Sequence, residues 1–419
     1  MFIQNDTFNS WKQGMRNSIV MSIYYSFMGL LFILRSLPYY SQAGDQTWFI
    51  EQAKKLNYDY LGFAIDRYFS WSSRLLIESA TMFFSVHQIL FSIVVFILLF
   101  AFWNCLYKLF IFDDEKHKLF KLFVPIIFIV IFTGNFYSGA GLIPNMVNYF
   151  FPMASFIFAW FLILKDNKFY NIISIFFIVF ACMQEQFTVL TFLIFSYFVI
   201  SHFWKNKTIN LKYLIFVIIS TLGMLSVKLS PGNANREKST IGTYFPNFDS
   251  LSVFKKLYNG FMETNRVLFL NNAELNFIFI FLFLLIILAV IKKKYLVSFL
   301  DFIVVYCVLL NKMGVDTPLD TVQKITNNHV ETLLLALYPV VLYLLFLIII
   351  AFSTFYLFED SEIGLFSLVL IIFGYLARMV VSFSPSVYVS GIRTFEPLIL
   401  TVFIVILLML NELKLFLKN

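Results

Sequence analysis

Charge is what this sequence has least of. Only 13% of its 419 residues are Asp, Glu, Lys or Arg, while 60% are hydrophobic. A water-soluble domain carries about a quarter charged residues. A single soluble core cannot absorb such an apolar excess, because the cores of long chains stop growing and divide. A soluble fold is therefore excluded. Cysteine is nearly absent too. Cys105, Cys182 and Cys307 lie in or beside apolar runs without metal-ligand spacing, which argues against a disulfide framework or a cysteine metal site. No glycine-rich phosphate loop is found, so ATP-driven pumping within this chain is not expected. The net charge is +7, but the basic residues form no clustered face, so no nucleic-acid partner is expected.

What the chain has in abundance is long apolar runs. A span needs about 20 mainly apolar residues to cross roughly 30 Å of hydrocarbon. Twelve candidates fall near residues 18–37, 87–107, 121–134, 149–165, 169–183, 187–204, 211–228, 275–291, 295–311, 332–354, 363–382 and 393–412. The first follows Lys12 and Arg16 and has no small-x-small cleavage site, so it reads as a retained span rather than a removable signal. The expected fold is all-α: a polytopic transmembrane helical bundle in one integral membrane domain, 1–419.

Loop charge sets the orientation. Lys108, Lys116, Lys118 and Lys121, then Lys165 and Lys168, then Lys205, Lys207 and Lys212, then Lys292, Lys293 and Lys294 fall in short loops on the side shared with the N-terminus. The C-terminal tail adds Lys414 and Lys418 to that side. Short loops on the other side, around 135–148 and 183–187, contain neither Lys nor Arg. This is the positive-inside pattern. It puts both termini in the cytoplasm of a multi-pass protein of the cytoplasmic (inner) membrane. Three longer loops, about 38–87, 228–274 and 311–331, then lie outside.

The first outer loop reads as short amphipathic helices rich in Trp and Tyr, suited to the membrane interface. Asp45 opens one of them; an Asp there also stabilises the exposed N–H groups of a helix start. Arg74 and Glu78 stand four apart, the spacing of a helix ion pair, and Arg74 alternatively faces a phosphate. Residues 134–152, GNFYSGAGLIPNMVNYFFP, form a turn between spans in which Asn145 and Asn148 are candidates to hydrogen-bond a sugar. Glu185, in CMQEQ, is an acidic residue in strongly apolar surroundings, a functional candidate by default. LSPGNANREK, 229–238, makes a turn followed by Arg236, whose fork suits a phosphate. His329 begins the tenth span, and Arg393 the twelfth; Arg378 lies within the eleventh. Each of these has an ordinary alternative as a solvated, snorkelling or packed residue.

A long first outer loop with interfacial helices and an acidic residue just beyond the first span resembles the GT-C class of membrane glycosyltransferases. The strings NYFFP and SPGN..R and the Glu of CMQEQ are similar to recurrent elements of bacterial membrane sugar-transfer proteins of this layout. The resemblance implies a polyprenyl-phosphate-linked sugar as donor and an extracytoplasmic cell-envelope glycan as acceptor. It implies Asp45 as the base, with Arg236, Arg393 and Arg74 on the donor phosphate. Glu185, Asn145, Asn148 and His329 would contact substrate. The neighbour of Asp45 is Gln46, so the paired acidic motif of some members is missing, and a divalent cation (Mg or Mn) stays open as cofactor. A donor-making synthase and a small flippase are the implied partners besides the lipid bilayer. Two other readings remain: an O-antigen-type polysaccharide polymerase, and a lipid-linked oligosaccharide flippase or transporter.

Overall fold

A computed structural model describes residues 15–40, 44–111, 119–133, 136–165, 167–270, 276–327 and 333–416. Among the described residues the structure is helical, without strands. The chain divides into two compact units, Met1–Lys238 and Ser239–Asn419.

The first unit contains α1 (Met15–Ser36), α2 (Asp45–Lys55), α3 (Tyr60–Ser70), α4 (Leu75–Val86), α5 (Gln88–Phe110) and α6 (Leu119–Ile131). It continues with α7 (Leu142–Ile163), α8 (Lys168–Ala181), α9 (Glu185–Asn206) and α10 (Leu211–Leu229). Then comes α11 (Pro231–Tyr244), which crosses into the second unit. Side-chain contacts fix the directions. On α1, Tyr25 packs edge-on against Phe100 and Trp103 of α5, while Tyr40 beyond its end meets Ser92, so α1 and α5 are antiparallel. Tyr24 and Arg35 of α1 donate to the carbonyls of Leu122 and Ile129, so α6 runs parallel to α1. Phe91–Phe151 and Phe110–Trp160 make α5 and α7 parallel. Phe156–Phe187 and Trp160–Phe198 do the same for α7 and α9. Phe195 packs on Phe216, and Gly223 lies against the Cys182 carbonyl, so α10 returns antiparallel.

The seven helices α1, α5, α6, α7, α8, α9 and α10 thus alternate in direction. Lys108, Lys121, Lys165, Lys168, Lys205, Lys207 and Lys212 collect at one end of the stack. The short helices α2, α3 and α4 and the start of α11 lie at the other. At the centre α7 is 83% buried along its span window, as expected of a helix apolar on every side.

The second unit holds α12 (Val253–Asn265), continued by a π-helical turn Arg266–Leu270, then α13 (Asn276–Ile291), α14 (Tyr295–Lys312) and α15 (Pro318–Asn327). It ends with α16 (Leu333–Tyr356), α17 (Ser361–Met379) and α18 (Glu396–Phe416). Here α18 is the core, its span window buried throughout. At one end Lys292 pairs with Glu412 and also donates to the Leu357 carbonyl, a fully packed knot. Deep between α14 and α16, buried Asp301 accepts from Ser353 at 2.8 Å.

Among the described residues nine helices are long and apolar enough to cross a bilayer. The expected spans 121–134, 169–183 and 275–291 are helices of 13, 14 and 16 residues. At 1.5 Å per residue these reach only about 20–24 Å. The expected span at 149–165 instead begins earlier, at Leu142, because the turn assigned to GLIPN is helical. His329, Lys116, Lys118 and Lys418 lie outside the described residues.

Candidate functional site

The site of the first unit is built from four separated stretches of chain. The turn between α3 and α4 comes first. Trp71 and Ser72 both donate their N–H to the Arg67 carbonyl at 2.7 Å, closing α3. Ser72 Oγ accepts from the Arg74 N–H at 3.3 Å. Arg74 therefore caps α4 with non-helical angles, φ −86° and ψ 56°. This corrects the pairing expected from sequence. Arg74 is outside the helix, so the i,i+4 geometry that would join it to Glu78 does not form, and Glu78 pairs with Arg67 at 3.2 Å.

Arg74 turns instead to Glu185. Its Nε lies 3.0 Å from Oε2 and 3.3 Å from Oε1, and Nη2 lies 2.5 Å from Oε2. Its Nη1 donates to Asn148 Oδ1 at 2.8 Å. Asn148 sits in a π-helical turn, Met146–Phe150, and donates to the Pro144 carbonyl at 2.8 Å and to Thr81 Oγ1 at 3.4 Å. Single π turns inside α-helices recur at functional sites because they re-aim one side chain. Glu185 is placed by Gln184, whose side chain caps α9 by accepting from the Phe187 N–H at 2.8 Å. A carboxylate in the first turn is favoured by the helix dipole.

Arg236 completes the group, with Nη2 3.2 Å from Glu185 Oε1. The string 229–238 explains how it gets there. Ser230 Oγ donates to the Tyr68 carbonyl at 3.0 Å. Asn233 donates to Ser73 Oγ at 2.9 Å and accepts from the Ser73 N–H at 3.3 Å. Gly232 rests on the peptide of Trp71 and Ser72, where a Cβ would fall 2.5 Å from the Trp71 nitrogen. One helical turn later Arg236 reaches the carboxylate. Ser230, Gly232, Asn233 and Arg236 thus act as one docking element against the α3–α4 turn.

Arg74, Arg236 and Glu185 alone carry one net positive charge, which neighbouring Arg67, Glu78 and Asp45 bring to three cations against three carboxylates. Burial works against the Arg74 cation, but the Glu185 carboxylate more than offsets it, and the Arg74 pKa is held above its usual range. Side-chain exposure is 14% for Arg74, 16% for Glu185 and 31% for Arg236, so Arg236 is the most accessible of the three. Beside them, Arg67 stacks over the rings of Trp48 at 5.0 Å and Trp71 at 5.3 Å. Burial holds the Arg67 pKa below its usual range despite its pairing with Glu78; Arg236 also opposes the charge, and Asp45, exposed as the first residue of α2, supports it weakly. All of these lie at the end of the stack away from the lysines.

Of the other sequence candidates, Asn145 is buried and donates to the Tyr137 carbonyl at 2.7 Å, holding the preceding turn. Arg393 and Arg378 belong to the second unit. Arg393 is half-buried in the turn Ile392–Phe395, and Arg378 is buried over the Phe395 ring at 4.4 Å. Arg67, Trp48, Trp71, Asn233 and Thr81 were not singled out by the sequence. Arg67 had no signal as an ion-pair residue, because Glu78 and Trp48, the partners that fix its charge in the site, lie on other helices. Among the described residues, no three His, Cys, Asp or Glu side chains come together as a metal site.

The second unit carries its own ion pair. Arg266, in the π turn after α12, binds Glu263 with Nε at 2.7 Å and Nη2 at 2.8 Å. Glu263 is buried, while the Arg266 side chain is 42% exposed.

Comparison of the chain with protein-family models, curated proteins and solved structures finds no match.

Proposed function

We propose that this protein is a GT-C-type glycosyltransferase that moves a sugar from a polyprenyl-phosphate donor to a cell-envelope glycan on the extracytoplasmic face. The observation that carries the reading is the convergence of Arg74, Arg236, Glu185 and Asn148, with Asp45 in electrostatic reach of neighbouring Arg67, at the stack end opposite the lysines. The lysine end suits the cytoplasm by the positive-inside rule. In this reading the short helices α6, α8 and α13 also cross, in a locally thinned bilayer, and with the nine longer helices give twelve crossings with both termini cytoplasmic.

Arg74 and Arg236 would bind the donor phosphate, and Glu185 would hold the two guanidiniums aimed at it. Glu185 is then a positioning residue. A shallow apolar groove of about 440 Å³ starts two residues past Arg74, lined by Tyr60, Leu76, Ser79, Phe83, Phe176 and Phe180. It offers a place for the prenyl chain next to the arginines. In the reaction, the acceptor hydroxyl gives its proton to Asp45, and its oxygen bonds to the anomeric carbon. The bond from that carbon to the phosphate oxygen breaks, and the departing phosphate carries away the electron pair. The arginines stabilise that charge as it develops, which is where such electrostatic groups act most strongly. Inversion at the sugar is expected by analogy with the class, and Mg or Mn stays open as a cofactor.

The test is transfer by the purified protein from radiolabelled polyprenyl-phosphate sugars to envelope glycan, alongside Asp45→Asn. Transfer by the wild type and at least a thousandfold loss in a folded Asp45→Asn protein is the expected result. Equal activity of the two would remove Asp45 as the base. Consumption of whole lipid-linked repeat units, with no monosaccharide transfer, would replace the transferase by a polymerase.

A further inference from the structure

Trp48 and Trp71 have no part in the phosphate site, yet they are the most unusual surface beside it. Each indole is more than a third exposed. Exposed tryptophans in a membrane protein ordinarily belong to the interfacial belt, with the ring among lipid headgroups. These two are held differently. They lie against the same guanidinium, Arg67, at 5.0 and 5.3 Å, and that guanidinium is paired with Glu78. Trp48 is further fixed by Phe49 and Phe63, with ring centroids 5.0 and 5.9 Å away. The Trp71 backbone is pinned by Gly232. Both rings therefore rest on a charged group that is itself within electrostatic reach of Asp45 and Arg236.

Asp45 and Trp48 are three apart on α2, so they share a face of the helix. The result is a pair of exposed indoles braced on one guanidinium, with an exposed carboxylate on the same helix face as Trp48. A pyranose ring is the complement of such an arrangement. One face of the ring is a patch of C–H groups, which the negative face of an indole attracts, and its rim is a set of hydroxyls that donate to a carboxylate. Stacking on a rigid ring costs little conformational freedom, because Trp has only two side-chain torsions.

We propose that Trp48 and Trp71 form a carbohydrate-stacking subsite that holds a sugar ring of the acceptor glycan beside Asp45. This rests on the transferase reading for the word acceptor, but the binding itself does not. The experiment uses the full chain in nanodiscs. Intrinsic tryptophan fluorescence is titrated with neutral hexose oligosaccharides (glucose, galactose and mannose oligomers), with glycerol as control, for the wild type, Trp71→Ala and Trp48→Leu. The expected result is saturable quenching by at least one oligosaccharide and not by glycerol. Its midpoint should rise roughly five- to tenfold in each variant, in proportion to the loss of one aromatic contact. Trp71→Ala guards against misfolding, because among the described residues the Trp71 ring has no aromatic neighbour to lose. In the transfer assay the KM for acceptor should rise by a similar factor, with the KM for donor unchanged. No quenching by any oligosaccharide, or a midpoint unchanged from the wild type in both variants, overturns the subsite and leaves the indoles as interfacial anchors. Quenching lost in the variants, in a protein that transfers no sugar, keeps the subsite and removes the transferase.

Discussion

The two units each bury a glutamate against arginine, and they do it in opposite ways. Glu263 and Arg266 are three residues apart on one continuous helix, and the pair forms wherever that helix forms. Glu185 is held by Arg74, 111 residues before it, and by Arg236, 51 residues after it. Asn148 joins from a fourth stretch. Such a group exists only when the stack is assembled, so its ordering cost falls on the whole fold. Buried ion groups repay desolvation poorly. A long-range one in an otherwise apolar chain is therefore better explained by chemistry than by stability.

The sharpest way to break the comparison is to neutralise each carboxylate in turn. Glu185→Gln leaves two guanidiniums facing each other without their shared anion. It should destabilise the protein by about 3–5 kcal/mol and abolish transfer. Glu263→Gln leaves one arginine that is already 42% exposed and able to turn to water, so the cost should be about 1 kcal/mol or less. Melting temperatures in detergent would read both. Equal effects would mean that the Glu185 group is no more than a local pair.

The same contrast decides what was legible beforehand. The helices follow from apolar runs, and the amphipathic pieces of the first outer loop appear as α2, α3 and α4 because their period of 3.6 is plain in the sequence. Glu185 stood out as an acid in apolar company, and Arg236 as a fork after a Pro-Gly turn. Their meeting was not legible, because nothing local couples residues 74, 148, 185 and 236. The Arg74–Glu78 pairing failed for a specific reason: the helix begins at Leu75, one residue too late. Spacing alone does not reveal a helix boundary. Span lengths were blurred likewise, since the apolar run 121–134 contains a helix that ends at Ile131.

A smaller effect separates the docking element from the ion group it serves. Gly232→Ala would place a Cβ 2.5 Å from the Trp71 nitrogen and 2.7 Å from the Arg67 carbonyl oxygen. Both are backbone atoms and cannot swing aside. The start of α11 must then shift, at about 1–3 kcal/mol for overpacking. Arg236 should move off Glu185, so transfer falls sharply while the Arg74–Glu185 contact survives. At Gly242, by contrast, a Cβ meets nothing within 4 Å. Gly242→Ala on the same helix should therefore leave transfer unchanged or slightly stabilise the protein, by up to about 1 kcal/mol. Loss of activity in both would point to general disturbance of α11 rather than to the docking of its first turn.

The finest test is Arg74→Lys, which keeps the charge and removes the fork. Lysine is a compact cation with no planar fork, so it cannot reproduce the contacts that Arg74 makes to both Glu185 oxygens and to Asn148 at once. One charge contact to Glu185 should remain, and stability should drop by only about 1–2 kcal/mol, the worth of the lost charge-assisted hydrogen bonds. If Arg74 only braces the fold, transfer should follow that modest change, with both kinetic constants little altered once the protein is folded. If it also holds the donor phosphate, the KM for the lipid-linked sugar should rise about tenfold or more while the KM for acceptor stays put. The matching Arg266→Lys should leave both KM values unchanged, because the exposed, local pair of the second unit has no share in the proposed donor site.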